Sequence, residues 1–171
     1  MTKAMMVFPY ADGPQGCGFE VMTSLWTGGG PNGFGHAELW VLESGEWHRL
    51  TATTDAGVID SPEDQFADPL FPDPRAYQMV NLPDDFDVDK VLAVLAPELG
   101  APYDWGGVTA YVFGFVTQDP NKWYCSEICA ELLATDARFA GLKQKQFQYS
   151  PNALFKEVTR ILASAAPSAS A

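Results

Sequence analysis

The chain has 171 residues and a mass of 18.6 kDa, the size of one ordinary domain. Such a chain buries roughly two-thirds of its unfolded surface and needs no disulfide or metal staple to fold. An apolar share of 47% and an aromatic share of 13% exclude a disordered chain, a coiled coil and a collagen-like repeat. Ten Lys and Arg against 22 Asp and Glu leave a net charge of -12, which repels phosphate backbones and anionic lipid, so nucleic-acid binding is not expected.

Met5–Phe8 reads as a first core strand. A single positive charge, Lys3, precedes an apolar run too short for a secretory signal. Gly18–Thr27, rich in Val, Leu, Trp and Thr, reads as a second strand. The glycine run from Gly28 to Gly33 reads as a mobile loop. It does not fit a phosphate-binding loop, because no Lys-Ser/Thr follows and the next segment is strand-like. His36–Leu42 and Glu46–Thr53 then form a β-hairpin. The loop Glu43-Ser44-Gly45 suits a type I turn closed by Gly45 in the left-handed conformation, a register that pairs Trp40 with His48.

Asp55–Asp89 holds ten acids and one base, Arg75, and reads as a solvated, irregular connection carrying one strand, Ala76–Leu82. A calcium loop is not expected there, because alternating Asp positions closed by Gly are missing. The last half is helical. Val88, Val91, Leu92, Leu95 and Leu99 recur at helical spacing, with Asp before them and Gly100 after. A shorter apolar helix is expected after Gly107 and another over residues 125–135. The last is expected to start from a Ser150 cap with Pro151 in its first turn. The expected architecture is one α+β domain over residues 1–163, with an antiparallel sheet packed against helices, and a flexible low-complexity tail over 164–171. The longest uninterrupted apolar stretch, Val108–Val116, is about half the roughly 18 residues a membrane span needs. Nothing in the sequence sets an oligomeric state.

Three cysteines, Cys17, Cys125 and Cys129, and two histidines, His36 and His48, are the scarce reactive groups. An odd cysteine count without framework spacing suits a reducing compartment. A cytoplasmic location is therefore expected, although a dedicated secretion machine could export the chain without a signal peptide. Cys125 falls where a helix begins, a position that favours a thiolate. Cys129, one turn on among apolar neighbours, reads as a buried inert thiol, and Cys17 lacks a helix start. His36 opens a strand after the glycine run. An imidazole base needs a partner to hold its tautomer, and Glu38 shares its strand face. His48 on the return strand is the other candidate. A zinc site from the two histidines with Cys125 and Cys129 is disfavoured, because structural zinc usually uses tight Cys-x2–4-Cys knuckles.

Leu99-Gly100-Ala101-Pro102-Tyr103-Asp104-Trp105-Gly106-Gly107, followed by Cys125-Ser126-Glu127-Ile128-Cys129, resembles the NlpC/P60 superfamily of papain-like cysteine hydrolases. His36 and His48 are twelve apart, as are the strand-opening histidine and second polar residue of that superfamily. Here the histidines precede the cysteine. That order resembles the circularly permuted branch of YaeF/YiiX-like proteins, phage and poxvirus relatives, and the lecithin:retinol acyltransferase group. The resemblance implies Cys125 as nucleophile, His36 as general base and then acid, and a third polar group that orients the ring. Twelve-residue spacing favours His48 for that role. The expected register places it about 13 Å from His36 along the sheet, so Glu38 is taken as the third member and His48 as the alternative. The resemblance also implies Tyr103 and Trp105 as substrate-binding residues and the Cys125 N–H as an oxyanion donor. It implies a small peptide or other amide as substrate, a cell-wall peptide being one such, with no cofactor or metal. The alternatives are an acyltransferase or thioesterase on the same site, and a non-catalytic binding module on the same fold.

Overall fold

The first half forms five strands: β1 (Ala4–Pro9), β2 (Glu38–Glu43), β3 (Glu46–Thr53), β4 (Gly57–Pro62) and β5 (Tyr77–Asn81). They pair antiparallel throughout, in the order β4-β3-β2-β1-β5. The computed structural model describes residues 3–11, 33–62, 77–113 and 119–165. Ala4, Met6 and Phe8 of β1 point to the same face as Leu39 and Val41 of β2, Leu50 and Ala52 of β3 and Val58 of β4. This face packs on the helices. The opposite face carries a smaller cluster of Met5, Val7, Trp40 and Tyr77 with Trp47 against it.

The helices are α1 (Val88–Leu95), α2 (Trp105–Phe113), α3 (Cys125–Leu133) and α4 (Pro151–Ala165), and together with the sheet they make an α+β fold. α1 is capped by Asp87, whose carboxylate accepts the Lys90 N–H at 3.1 Å. It tightens into a 3-10 turn over Ala96–Glu98, where Pro97 has no N–H to continue the α-helical pattern. Gly100 (φ 79°) follows in the left-handed region. In α3 every residue but Glu131 is buried. Ile128, Leu132 and Leu133 each contribute about 1.5–3 kcal/mol by leaving water, which makes α3 the centre of the core. Successive 3-10 turns over Ala137–Gln148 lead to Ser150, whose hydroxyl accepts the Ala153 N–H at 3.1 Å and caps α4.

The structure departs from the sequence expectation in several places. The hairpin turn has two residues, not three: Glu43 faces Glu46, and Ser44 (φ 52°) and Gly45 (φ 93°) both adopt positive φ. Those are the values of a type I′ turn, whose twist matches the flanking strands. The register accordingly sets Val41, not Trp40, opposite His48. β4 falls in the stretch expected to be irregular. It is a short edge strand with only Val58 and Ile59 as adjacent apolar residues, and it ends at Pro62. α2 begins at Trp105, before the two glycines. α4 runs to Ala165, past the expected start of the tail. The expected strand Gly18–Thr27, Cys17, residues 28–32 of the glycine run and residues 166–171 lie outside the described residues. Among the described residues, no helix is long and apolar enough to cross a membrane.

Candidate active site

His36 sits between an anchored loop and β2. Just before it, Phe34 bridges Tyr10, and the Gly35 N–H donates to the Pro9 carbonyl at 3.1 Å. Asn152, at the start of α4, grips the Phe34 peptide from both sides. Its Oδ1 accepts the Phe34 N–H at 2.9 Å and its Nδ2 donates to the Phe34 carbonyl at 3.3 Å. The Phe34 ring packs against Phe8 and Phe155 with centroids 5.4 and 4.8 Å away. The backbone that presents His36 is therefore fixed by a strand end and a helix start together.

Among the described residues, Thr51 and Glu38 meet the ring at Nε2. Thr51 Oγ1 lies 3.2 Å away, and Glu38 Oε1 lies 3.5 Å away. Glu38 is buried, and a buried carboxylate requires partners. Trp40 supplies one by donating its indole N–H to Oε2 at 2.8 Å, and Arg49 Nη1 stands 3.6 Å from Oε1. Trp40 is two residues from Glu38 on one strand face, and Arg49 pairs with Trp40 across the ladder, so strand periodicity assembles the group.

Cys125 is the first residue of α3, and Tyr124 precedes it in extended conformation. The approach to Cys125 is held by a short parallel bridge between Tyr103 and Trp123. The Trp123 N–H donates to the Pro102 carbonyl at 3.2 Å, and the Asp104 N–H donates to the Trp123 carbonyl at 3.0 Å. The Trp123 indole donates to Glu98 at 2.8 Å. Tyr103 thus sits beside the peptide two residues before Cys125, its ring edge-on to Trp105 at 5.2 Å. Trp105 itself is half exposed. Asp104 is buried and caps α2, accepting the Gly107 N–H at 2.8 Å. A Cβ on Gly107 would lie 2.4 Å from Asp104 Oδ2, which gives the second glycine of the pair its physical reason. On the other side of Cys125, Ser126 donates its hydroxyl to the Tyr149 carbonyl at 2.6 Å.

The two halves meet where α3 crosses the start of β2. Cys129 Sγ lies 3.5 Å from the carbonyl oxygen of Ala37, the residue after His36, and 4.0 Å from that of Leu50. Cys125 is one helical turn before Cys129, on the same side of α3. Burial pushes the Cys129 thiol well above its ordinary range, and the nearby Cys125 and Glu38 push it further. Cys125, Cys129 and Glu38 thus share one electrostatic neighbourhood, with His36 next to Glu38.

His48 stands elsewhere. Its Nδ1 is 2.8 Å from Asp60 Oδ1 on β4, and its Nε2 is 3.9 Å from Glu43. It opposes Val41, whereas Glu38 lies on the other face of β2, opposite Val7. The structure therefore brings Glu38 to His36 and gives His48 a separate carboxylate partner. Cys17 lies outside the described residues. Among the described residues, no three His, Cys, Asp or Glu side chains stand together as a metal site.

Thr51 and Asn152 were not anticipated. Thr51 was legible in principle, because continuing the observed Leu39–Leu50 register by one step brings it beside Glu38. Asn152 is 118 residues from Phe34 and carries no local signal. Compared with known proteins, the chain matches no protein-family model and no curated protein.

Proposed function

We propose that the protein is a cysteine hydrolase of the permuted, NlpC/P60-like papain type, acting on a small soluble peptide or other amide. The observation that carries this reading is the pairing of His36 with the buried Glu38 beside a helix whose first residue is Cys125. In this mechanism Cys125 Sγ attacks the amide carbon and its proton passes to His36. The Cys125 N–H, at the positive end of α3, meets the developing oxyanion. The tetrahedral intermediate collapses, the C–N bond breaks, and the amine leaves with the proton from His36. Water then attacks the thioester, giving its proton to His36, and the acid and the free thiol are restored. Glu38 keeps the ring oriented and balances its positive charge. The half-exposed Trp105 beside Tyr103 offers an apolar surface for the acyl side chain. A net charge of -12 opposes work on anionic bilayers, which is why a soluble amide is preferred to a membrane lipid.

The test is to incubate the protein with muropeptides, simple peptide amides, short-chain acyl thioesters and phospholipids, with Cys125→Ala as blank. Cys125-dependent amide cleavage is expected, and His36→Ala should abolish it. The double variant should lose little more than either single one, because residues acting as a unit are not additive. Glu38→Gln should cost more than His48→Ala, and the reverse order would move the orienting role to His48. Fatty-acid release without amide cleavage would replace the amidase by an acyltransferase or thioesterase. Inertness towards all four classes would leave a binding module.

A further inference from the structure

Thr51 is a fully buried polar residue in β3, between Leu50 and Ala52 on a strand whose neighbours enter the core. Its hydroxyl oxygen has two contacts. It donates to the Ala37 carbonyl at 2.8 Å, and it lies 3.2 Å from His36 Nε2. A hydroxyl has one hydrogen, and a carbonyl can only accept. Once that hydrogen is committed to Ala37, the side of Oγ1 that meets the imidazole is a lone pair. Glu38 Oε1, 3.5 Å from the same nitrogen, is likewise an acceptor. Thr51 and Glu38 therefore both call for a proton on Nε2.

We propose that Thr51 is a positioning residue that holds neutral His36 with its proton on Nε2, leaving Nδ1 as the nitrogen that takes the Cys125 thiol proton. The inference rests on the reading of His36 as the base, and it divides the work between the two acceptors. Thr51, the closer and neutral one, sets the tautomer of the resting ring, its orientation already fixed by Ala37. Glu38, farther but charged, acts once the ring becomes imidazolium. The distinction matters because a base with its proton on the wrong nitrogen cannot accept from the nucleophile, however well the ring is placed.

A Thr51 that merely ties β3 to the entry of β2 would affect folding but not the proton's position. The experiment therefore reads both. The intact chain, carrying 15N-labelled histidine, is examined by long-range 1H–15N correlation above the imidazole titration, in wild type, Thr51→Val and Thr51→Ser. The rate at which iodoacetamide alkylates Cys125 is measured in parallel. Wild type and Thr51→Ser are expected to show the Nε2–H pattern for His36. Thr51→Val, similar in shape but without the hydroxyl, should show a mixture of tautomers and about tenfold slower alkylation, the worth of one net hydrogen bond. An Nδ1–H ring in wild type, or an unchanged tautomer and rate in folded Thr51→Val, would overturn the assignment. The tautomer readout needs no substrate, so a failure of the amidase reading leaves it standing and is recognised separately.

Discussion

Cys125 and Cys129 share one side of α3 and differ in what surrounds them. Cys125 retains 4% of its surface and starts the helix, whereas Cys129 retains none and lies against the Ala37 and Leu50 carbonyls. Alkylation needs both the thiolate and access for the reagent, and burial pushes the Cys129 thiol well above its ordinary range. In the native protein iodoacetamide should label Cys125, while Cys129 should react only after denaturation. Peptide mapping by mass spectrometry before and after adding urea checks this, and native labelling of Cys129 at the rate of Cys125 would refute it. The same scale shows how a polar residue becomes part of a site. Glu38 was expected beside His36 from strand periodicity; β2 begins only at Glu38, not at His36, yet the ring two residues ahead of the strand still reaches Oε1 at 3.5 Å. Thr51 was missed because the expected register was one residue off, and a slip of one residue moves every facing side chain.

At the level of elements, two close approaches set the site's approach segment. The Val58 N–H donates to the Ala101 carbonyl, and the Gly100 N–H to the Val58 carbonyl, both at 2.9 Å. This stitches residues 100–101 to the start of β4, just ahead of Pro102 and Tyr103. Gly57 permits the contact: its φ is 72°, and a Cβ there would stand 2.1 Å from the Ala101 carbonyl oxygen. Gly45, at φ 93°, has nothing within 4 Å of a Cβ. Gly45→Ala should therefore cost only the left-handed backbone, about 1 kcal/mol. Gly57→Ala adds an overlap with backbone that cannot swing away, and about 3 kcal/mol or more is expected. Urea midpoints of the two variants measure the contrast, and equal shifts would contradict it. The hairpin shows the opposite balance between local and distant causes. Ser44-Gly45 is a local turn signal, and its two-residue form follows from strand twist alone.

Across the whole molecule, segments far apart in sequence are tied by a few polar contacts. Arg138, after α3, grips Asp136 through Nε at 2.9 Å and Nη2 at 2.5 Å, and reaches Asp85, ahead of α1, at 2.7 Å. Hydrogen bonding to Arg138 holds the Asp136 carboxyl below its ordinary value. A carboxyl depressed in the folded state contributes stability above its unfolded value, about 3.9, and loses it as pH falls through the folded value. Asp136→Asn should thus be less stable than wild type by about 1 kcal/mol at pH 7. The gap should close below about pH 4. Chemical denaturation at the two pH values tests this, and a gap of equal size in acid would exclude the linkage.

Local chemistry is why so much of the architecture could be read in advance. Short apolar runs buried on both faces mark β1 and β2, and a repeat of 3.6 marks the helices, because burial of one helix face imposes it. Caps such as Asp87 and Ser150 act within three residues, and Cys125 opens α3 where the apolar run begins. β4 was hidden because an edge strand with two adjacent apolar residues has almost no periodic signal. The partners of His36 depend on pairing between chains of residues. A one-residue choice in the hairpin turn decides whether Thr51 reaches Nε2 and whether His48 shares the sheet face of Glu38 or lies on the other. The grip of Asn152 on Phe34 and the contact of Cys129 with Ala37 span 118 and 92 residues. Such contacts come from core packing that brings α3 and α4 against the sheet. No local propensity encodes a distance of that kind, so folding alone sets the relation between the helix that carries Cys125 and the strand that follows His36.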